Sequence, residues 1–358
     1  MFRDTILQGD VLEQLRQLPD NLVDCVFTSP PYWGLRDYGI SGQIGQEEHP
    51  KQYIEKLVEV FSEVRRVLKP TGTLFLNLGD TYFSCGSPAD RFGGLPHPEY
   101  SCLGKEQVIN QGRGKGTPDG KWLRPKQKML IPERVAIAMQ EDGWLLRNTI
   151  IWYKNNHMPE SVGDRLTRSY ESIFFFTKSE KYHFDLDSIR QEATTKPWTT
   201  KPGKYGVNNP RANYVGKFDI TIAEAVCSPR ARLATRETTN FYNPKGKNPG
   251  DVWTVNTEPY KAAHFAVFPT KLVRMGLQCG CPKDGLVLDP FTGSGTTLYV
   301  ARKMALHYLG IEIKPEYVEL AKSRLAKIPA RLDSFFVAPR ITPTIDYVTA
   351  CNNLRSEL

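Results

Sequence analysis

The chain has 358 residues, of which 40% are hydrophobic and 24% charged, as is typical of a globular protein with a large core. It contains no apolar run of membrane-spanning length and no signal peptide, so we expect a cytoplasmic protein with no membrane partner. Its seven scattered cysteines favour reduced thiols over disulfides or a metal site, and its net charge of +8 weakly indicates a polyanionic partner.

The first 82 residues predict an alternating α/β fold. Apolar residues recur at helical spacing in two stretches, and continuous apolar runs between them predict buried strands. The predicted elements are, in chain order, a short first strand, a helix at 11–18, a strand at 23–27, a helix at 52–68, a turn at 69–72 and a strand at 73–78.

Two basic segments interrupt this pattern. Residues 83–130 are rich in glycine and carry a net charge of +4, whereas residues 191–250 are rich in proline and asparagine and carry +6. Between them, a helix at 132–142 and strands at 149–152 and 173–176 continue the α/β fold. The predicted organisation is a discontinuous domain over 1–190 and 251–330, a basic Gly-rich loop at 83–128, a separate basic region at 191–250, and a C-terminal tail at 331–358.

Residues 284–328 predict a strand, a glycine-rich turn, a helix and a second strand that ends in Glu312. The turn is Asp289-Pro290-Phe291-Thr292-Gly293-Ser294-Gly295. Glycines at a helix start allow a ligand close to the backbone, and an acid ending the next strand can accept ribose hydroxyls. Leu298 replaces the third glycine of the dinucleotide fingerprint, which favours a nucleoside cofactor without pyrophosphate, such as S-adenosylmethionine.

The run Thr28-Ser29-Pro30-Pro31-Tyr32 directly follows the strand predicted at 23–27. Two prolines cannot continue a central strand, so the chain must leave the sheet there. Ligands of open α/β sheets bind at the carboxyl ends of the strands. A small hydroxyl, free carbonyls and an aromatic ring are therefore presented where they can hold a flat base by its amino group. A proline turn without a further role is the alternative interpretation.

Together the two loops resemble those of the β-class amino-methyltransferases of DNA, the DNA methylase N-4/N-6 family. In that class, the catalytic tetrapeptide precedes the cofactor loop, as it does here. The resemblance covers about residues 5–328 and implies a Rossmann-like sheet with helices on both faces and inserted basic segments. It extends to Tyr32–Gly39, Ile151–Lys154, Met158–Val162, Asp164-Arg165, Tyr170-Glu171 and His264–Pro269.

The resemblance implies roles for residues of the two loops and for several residues outside them. The tetrapeptide Ser29, Pro30, Pro31 and Tyr32 would be catalytic, and the cofactor would contact Asp10, Phe268, Pro269, Asp289, Phe291, Gly293, Gly295 and Glu312. Asp10 could instead cap a helix, and Phe268 could be a core residue. The candidate DNA contacts are Arg211, Arg230, Arg232, Arg236, Lys245 and Lys247. The alternative interpretation is that this segment is a solvated basic loop with no role in sequence recognition.

The implied chemistry is methyl transfer to an exocyclic amine. That amine is a poor nucleophile because its lone pair is delocalised into the base. The Ser29 hydroxyl and the Pro30 carbonyl could accept its two N–H groups, while Tyr32 stacks on a base flipped out of the duplex. In the family, serine at the first position accompanies the cytosine N4 amine, and aspartate or asparagine accompanies the adenine N6 amine. We therefore expect N4-methylcytosine.

Other functions remain open from the sequence. An N6-adenine enzyme of the same fold, a methyltransferase of RNA or glutamine side chains, and a non-catalytic DNA-binding subunit share parts of the pattern. The order of the motifs and the basic insert favour DNA. The implied partners are double-stranded DNA and a possible separately encoded restriction endonuclease, in a prokaryotic or phage setting, with the protein nucleoid-associated and a monomer or homodimer.

Overall fold

The computed structural model describes residues 2–35, 39, 42–83, 113–114, 119–192, 245–258 and 268–328. The strands are β1 (Thr5–Gln8), β2 (Val23–Thr28), β3 (Leu68–Leu78), β4 (Tyr82–Phe83), β5 (Arg113–Gly114), β6 (Leu145–Tyr153), β7 (Tyr170–Thr177), β8 (Val252–Thr254), β9 (Leu286–Asp289) and β10 (His307–Glu312). The helices are α1 (Val11–Arg16), α2 (Pro50–Val67), α3 (Ile131–Glu141), α4 (Thr270–Gly280), α5 (Thr296–Lys303) and α6 (Pro315–Ala326), with a 3-10 turn at Leu186–Ile189.

Eight strands form one sheet in the order β1-β10-β9-β2-β3-β7-β6-β8, and β4 pairs with β5 apart from it. The neighbours from β1 to β3 are parallel, so their carboxyl ends meet at one edge of the sheet. β7 is antiparallel to both β3 and β6, so its amino end reaches that same edge. We refer to it as the carboxyl edge.

Helices cover both faces of the sheet because successive strand residues point to opposite sides. Val26 of β2 and Leu74 of β3 belong to the core beneath α1, α2 and α3. Phe27 and Phe75, their neighbours in the chain, belong to the core that also contains residues of α4, α5 and α6. The predicted fold class, a Rossmann-like α/β sheet with helices on both faces, is confirmed.

The element boundaries differ from the sequence prediction mainly before β3. The predicted turn at 69–72 lies instead within β3, where the register shifts between the pairs Val23–Leu68 and Cys25–Thr73. Residues 69–72 therefore bulge from the ladder opposite Asp24, whose carboxylate pairs with Lys69 at 2.7 Å.

Most of both basic segments lies outside the described residues, as do Arg211, Arg230, Arg232, Arg236 and the tail at 331–358. Residues 119–128 are described and lead into α3. Among the described helices, none has the length and apolar character that crossing a membrane requires.

Phe75 should be a principal contributor to stability. Its ring stacks on Phe175 at a centroid distance of 4.8 Å and on Phe27 at 5.8 Å. We expect Phe75→Ala to lower the free energy of unfolding by about 3–5 kcal/mol because it leaves a cavity in the sheet centre. Denaturant unfolding measures this, and Ile137→Ala, on an exposed position of α3, should change it by no more than about 0.5 kcal/mol. Equal effects of the two substitutions would contradict the packing.

Candidate active site

The residues predicted from the sequence meet at the carboxyl edge. Asp10 follows β1, Glu312 ends β10, Asp289 ends β9 and Ser29 follows β2. In the sheet these four strands are consecutive neighbours, although β1 and β2 lie near the start of the chain and β9 and β10 near its end. The sheet therefore brings the tetrapeptide and the glycine loop together.

A buried hydrogen bond joins the two loops directly. The Thr28 hydroxyl donates to Asp289 Oδ1 at 2.7 Å, and the backbone N–H of Phe291 donates to the same oxygen at 3.1 Å. The Thr297 hydroxyl, from the first turn of α5, donates to the Phe27 carbonyl at 3.0 Å. These bonds fix the end of β2 against the loop that follows β9.

Burial raises the pKa of Asp289 to about 6, against the opposing effect of hydrogen bonds from Thr28 and the Phe291 backbone. The cost of burying this carboxylate is thus only partly offset by its partners.

The glycine loop takes backbone conformations that other residues rarely adopt. Gly293 has φ of 52° and Gly295 has φ of 78°, both left-handed. A Cβ at Gly295 would also lie 2.8 Å from the Cβ of Ala321 in α6. Gly295 therefore allows the loop to turn into α5. It also allows α6 to pack closely against that turn.

Glu312 holds this loop from the neighbouring strand. Its Oε2 accepts the Gly293 N–H at 2.7 Å, and its Oε1 accepts the Lys314 N–H at 3.0 Å. Burial raises the pKa of Glu312, and these backbone hydrogen bonds oppose that effect. A carboxylate has about four acceptor positions. Acceptor capacity remains beside these bonds for hydroxyl groups such as those of a ribose.

The loop also fits an anionic group beside a nucleoside. Gly295 begins α5 without a side-chain cap, so the first-turn N–H groups have no such acceptor. At Gly293 the nearest atom to a built Cβ is the Phe291 carbonyl oxygen, 4.0 Å away, which leaves open space beside the backbone. Backbone donors, open space and a carboxylate together suit a nucleoside that carries a carboxylate.

The tetrapeptide is held by its neighbours on α2 and in the following loop. The Tyr53 hydroxyl donates to the Pro31 carbonyl at 2.8 Å, and the indole N–H of Trp33 donates to the Glu47 carbonyl at 2.9 Å. Among the described residues, none donates a hydrogen bond to the Pro30 carbonyl. Pro31 therefore anchors the turn, whereas the Pro30 carbonyl keeps its acceptor capacity.

Tyr32 is half-buried and has three polar partners. Its hydroxyl lies 3.3 Å from Ser29 Oγ, 3.1 Å from Asn77 Oδ1 and 2.9 Å from Glu171 Oε2. Burial and the negative charge of Glu171 raise the pKa of Tyr32 well above its usual range, so the hydroxyl stays protonated. The ring packs against Gly79, where a Cβ would lie 2.3 Å from a ring carbon.

Three predicted residues also have structural roles. Asp10 caps α1 by accepting the N–H groups of Leu12 and Glu13, as the alternative interpretation expected. Phe268 packs edge-on against Phe27 at a centroid distance of 5.6 Å, and Pro269 precedes α4 as its N-cap residue. These roles do not exclude contact with a cofactor, which stays a prediction for all three.

Two of the six candidate DNA contacts are described. Lys245 forms an ion pair of 2.5 Å with Asp187, and the backbone of Lys247 exchanges hydrogen bonds with Gln191. The Lys245 side chain is 65% exposed, so its charge remains accessible to solvent.

Sequence reasoning did not assign roles to Asn77, Gly79, Lys154 and Glu171. Lys154 and Glu171 belong to the middle block of the resemblance, yet nothing local to them indicates contact with Tyr32. Lys154 follows β6 and Glu171 is the second residue of β7, so both reach the carboxyl edge because these strands are antiparallel neighbours. The feature that could have indicated their contact with the site is the antiparallel pairing of β6 and β7, because no local motif does so.

Asp289 should make stability depend on pH in an identifiable window. Its pKa is about 6 in the folded protein against an ordinary value of 3.8, so the folded state holds the proton more tightly than the unfolded state. Its contribution is therefore most favourable below pH 3.8 and is lost as the pH rises through about 6. Relative to Asp289→Asn, the parent should lose about 2 kcal/mol of unfolding free energy between about pH 4 and pH 7.

Denaturant unfolding of both proteins across this range measures the difference. Asp187→Asn is the matched control, because hydrogen bonds from Arg190 and Lys245 lower the pKa of Asp187 and the trend should reverse. A difference between the parent and Asp289→Asn that does not vary with pH would contradict the burial of a charged carboxylate.

The chain matches known proteins over most of its length. The family model N6_N4_Mtase, described as DNA methylase, matches residues 23–323. The type II methyltransferase M.Cfr9I of Citrobacter freundii is 40% identical over 90% of this chain and 87% of its own. M.SmaI of Serratia marcescens is 39% identical over 90% of each chain, and M.SfiI of Streptomyces fimbriatus is 33% identical over 87% of this chain and 88% of its own.

Among solved structures, the PvuII DNA methyltransferase (cytosine-N4-specific) matches with a TM-score of 0.56 and 18% sequence identity. The match covers 89% of this chain and 85% of that one, which shows a shared fold. Since the family model spans most of the chain and its type II relatives align over nearly their whole length, this protein belongs to the N6/N4 DNA methylase family and is a DNA methyltransferase.

Proposed function

We propose that this protein transfers a methyl group from S-adenosylmethionine to the exocyclic N4 amine of a cytosine flipped out of duplex DNA. The observation that carries the proposal is the position of Ser29. Its hydroxyl follows β2 at the carboxyl edge, and the neighbouring Thr28 is bonded to Asp289 of the glycine loop. An acceptor for an amine thus lies one strand away from the loop that suits the cofactor.

Two acceptors would activate the amine. We assign these roles to the Ser29 hydroxyl and the Pro30 carbonyl, because the Pro31 carbonyl already accepts from Tyr53. Hydrogen bonds to both N–H groups would draw the nitrogen lone pair out of conjugation, and holding the amine in line with the methyl group lowers the barrier further. The Tyr32 ring, fixed against Gly79 and through its hydroxyl, would stack on the base.

The cofactor would be held by the glycine loop and its neighbours. Glu312 would accept the ribose hydroxyls, and the start of α5 after Gly295 would hold the carboxylate of the methionine part. When bound, the cofactor supplies an electrophilic methyl group on a sulfonium. The remaining proposed contacts are Asp10, Phe268, Pro269, Asp289, Phe291 and Gly293.

Duplex DNA would be held by the two basic segments. We propose residues 191–250 as the target-recognition region, with Arg211, Arg230, Arg232, Arg236, Lys245 and Lys247 contacting phosphates or base edges. The relatives M.Cfr9I and M.SmaI are named type II methyltransferases, and we place this chain in a restriction-modification system with a separately encoded endonuclease as partner. The choice of cytosine rests on the serine at position 29, and the PvuII enzyme of the same fold is named as cytosine-N4-specific.

The methylated base is tested directly. Unmethylated DNA is incubated with the protein and S-adenosylmethionine, digested to nucleosides and analysed by mass spectrometry. We expect N4-methylcytosine, and a reduction of about 10²-fold or more in Ser29→Ala, which loses one acceptor. N6-methyladenine as the only product would refute cytosine as the substrate.

Gly79 should be required for the position of Tyr32. A methyl group at residue 79 would overlap the ring at 2.3 Å, so Gly79→Ala must displace it. We expect the kcat of methyl transfer to fall by at least about tenfold while cofactor affinity is retained, since a misplaced base is held outside attack geometry. Gly163→Ala, where no atom of the described residues lies within 4 Å of an added Cβ, is the matched control and should leave kcat unchanged. Similar rates for the two variants would contradict the role of Gly79.

A further inference from the structure

We infer that Glu171 ends a hydrogen-bond chain that starts at Ser29 and draws the proton away from the amine during methyl transfer. In this chain, Ser29, Tyr32 and Glu171 carry the proton, and Lys154 is a positioning residue that holds the carboxylate. The inference rests on the proposed transfer to an exocyclic amine. It concerns a half-buried polar group to which the proposed cofactor and DNA contacts assign no role.

The acceptor strengths set the direction of the chain. Tyr32 has one hydroxyl hydrogen, and two oxygens compete for it at 2.9 Å on Glu171 and 3.1 Å on Asn77. A carboxylate is a stronger acceptor than an amide carbonyl, and its contact is also the shorter one. The Tyr32 hydroxyl therefore donates to Glu171 Oε2. Its own oxygen is then the acceptor for the Ser29 hydroxyl at 3.3 Å.

This direction leaves the Ser29 oxygen free to accept. Because the serine proton points to Tyr32, the lone pairs of Ser29 Oγ remain available for an N–H of the amine. With the opposite direction, Ser29 would present a proton to the amine and compete for its lone pair. The charge on Glu171 thus determines whether the amine of the substrate meets the oxygen or the hydrogen of the Ser29 hydroxyl.

Two neighbours hold the Glu171 carboxylate in this role. The Lys154 ammonium lies 2.5 Å from Oε1, the oxygen that Tyr32 does not use. Asn77 Nδ2 donates to Oε2 at 3.2 Å and to the Ser172 carbonyl at 3.3 Å. Lys154 from β6, Asn77 from β3 and Tyr32 therefore surround the carboxylate on three sides, and the Lys154 and Glu171 side chains are only 16% and 21% exposed.

The proton balance of the reaction gives this chain a task. A bond forms between the amine nitrogen and the methyl carbon, the carbon–sulfur bond breaks, and its electron pair goes to sulfur. The nitrogen then carries one proton too many. That proton passes to Ser29 Oγ, the serine proton passes to the Tyr32 oxygen, and the tyrosine proton passes to Glu171. Because the pKa of Tyr32 is raised, the ring relays a proton as a neutral hydroxyl without ionising.

Substitution of the carboxylate tests the chain. Glu171→Gln keeps the shape of the side chain and removes its charge. We expect the rate constant of single-turnover methyl transfer, and kcat with it, to fall by about 10²-fold. The Kd values for DNA and for S-adenosylhomocysteine should stay within about threefold of those of the parent.

Asp24→Asn is the matched control. Asp24 is also mostly buried and pairs with Lys69 at 2.7 Å, but it lies near the amino end of β2, away from Tyr32. We expect its kcat to equal that of the parent. A kcat for Glu171→Gln within about threefold of that control would overturn the inference.

A double-mutant cycle distinguishes a chain from two independent effects. Tyr32→Phe keeps the ring and the Lys154–Glu171 pair but removes the relaying hydroxyl, so it carries the test even if Glu171→Gln fails to fold. Combined with Glu171→Gln, it should cost no more than either change alone because both interrupt one path. Losses that multiply would overturn the inference.

A measurement without turnover completes the test. In protein labelled with ¹³C at the tyrosine Cζ, the Tyr32 resonance is the one missing from Tyr32→Phe. It should shift in Glu171→Gln and stay in place in Asp24→Asn, and an unmoved resonance in Glu171→Gln would overturn the inference. If the parent produces N6-methyladenine, cytosine is refuted as the substrate, but the inference about Glu171 is not. Both amines lose a proton during methylation, so the tests of Glu171 apply to either base.

Discussion

The hydrogen bond from Thr28 to Asp289 is the interaction on which the rest of the site depends. It joins a strand near the beginning of the chain to a strand near its end, in a position where both side chains are almost fully buried. An unpartnered carboxylate there would be strongly unfavourable, so correct pairing of β2 with β9 is enforced by a polar contact as well as by apolar packing. The tetrapeptide and the glycine loop consequently form together or not at all.

Both faces of the sheet are packed against helices, and both packings hold the strands that carry the site. Residues such as Val26 and Leu74 anchor the strands to the helices of one layer, and Phe27 and Phe75 anchor them to the other. With both faces buried, the strands have little freedom to shift register. The polar groups at the carboxyl edge can therefore be placed with the accuracy that aligning an amine with a methyl group requires.

The sequence was sufficient where the signal was local. The glycine turn, α5 and Glu312 follow one another within a short stretch, and the Pro-Pro pair marks the end of β2 without reference to any other strand. The contacts of Tyr32 could not be predicted in this way. Glu171 reaches Tyr32 only because β7 is antiparallel to β3, and Tyr53 reaches Pro31 only because α2 packs beside the turn. The sequence predicts a turn at 69–72, where the structure has a bulge within β3, because local turn chemistry does not show whether pairing resumes in the same strand.

The direction of β7 also bears on how the site returns to its starting state. The strand passes from an exposed first residue, Tyr170, through half-buried Glu171 to a fully buried interior. An acid placed one residue from solvent is shielded enough to bind Tyr32 and open enough to exchange with water. A proton left there after each reaction can escape to bulk solvent without crossing the base or the cofactor. Loss of that proton to solvent would return Glu171 to the charged form that the next reaction needs.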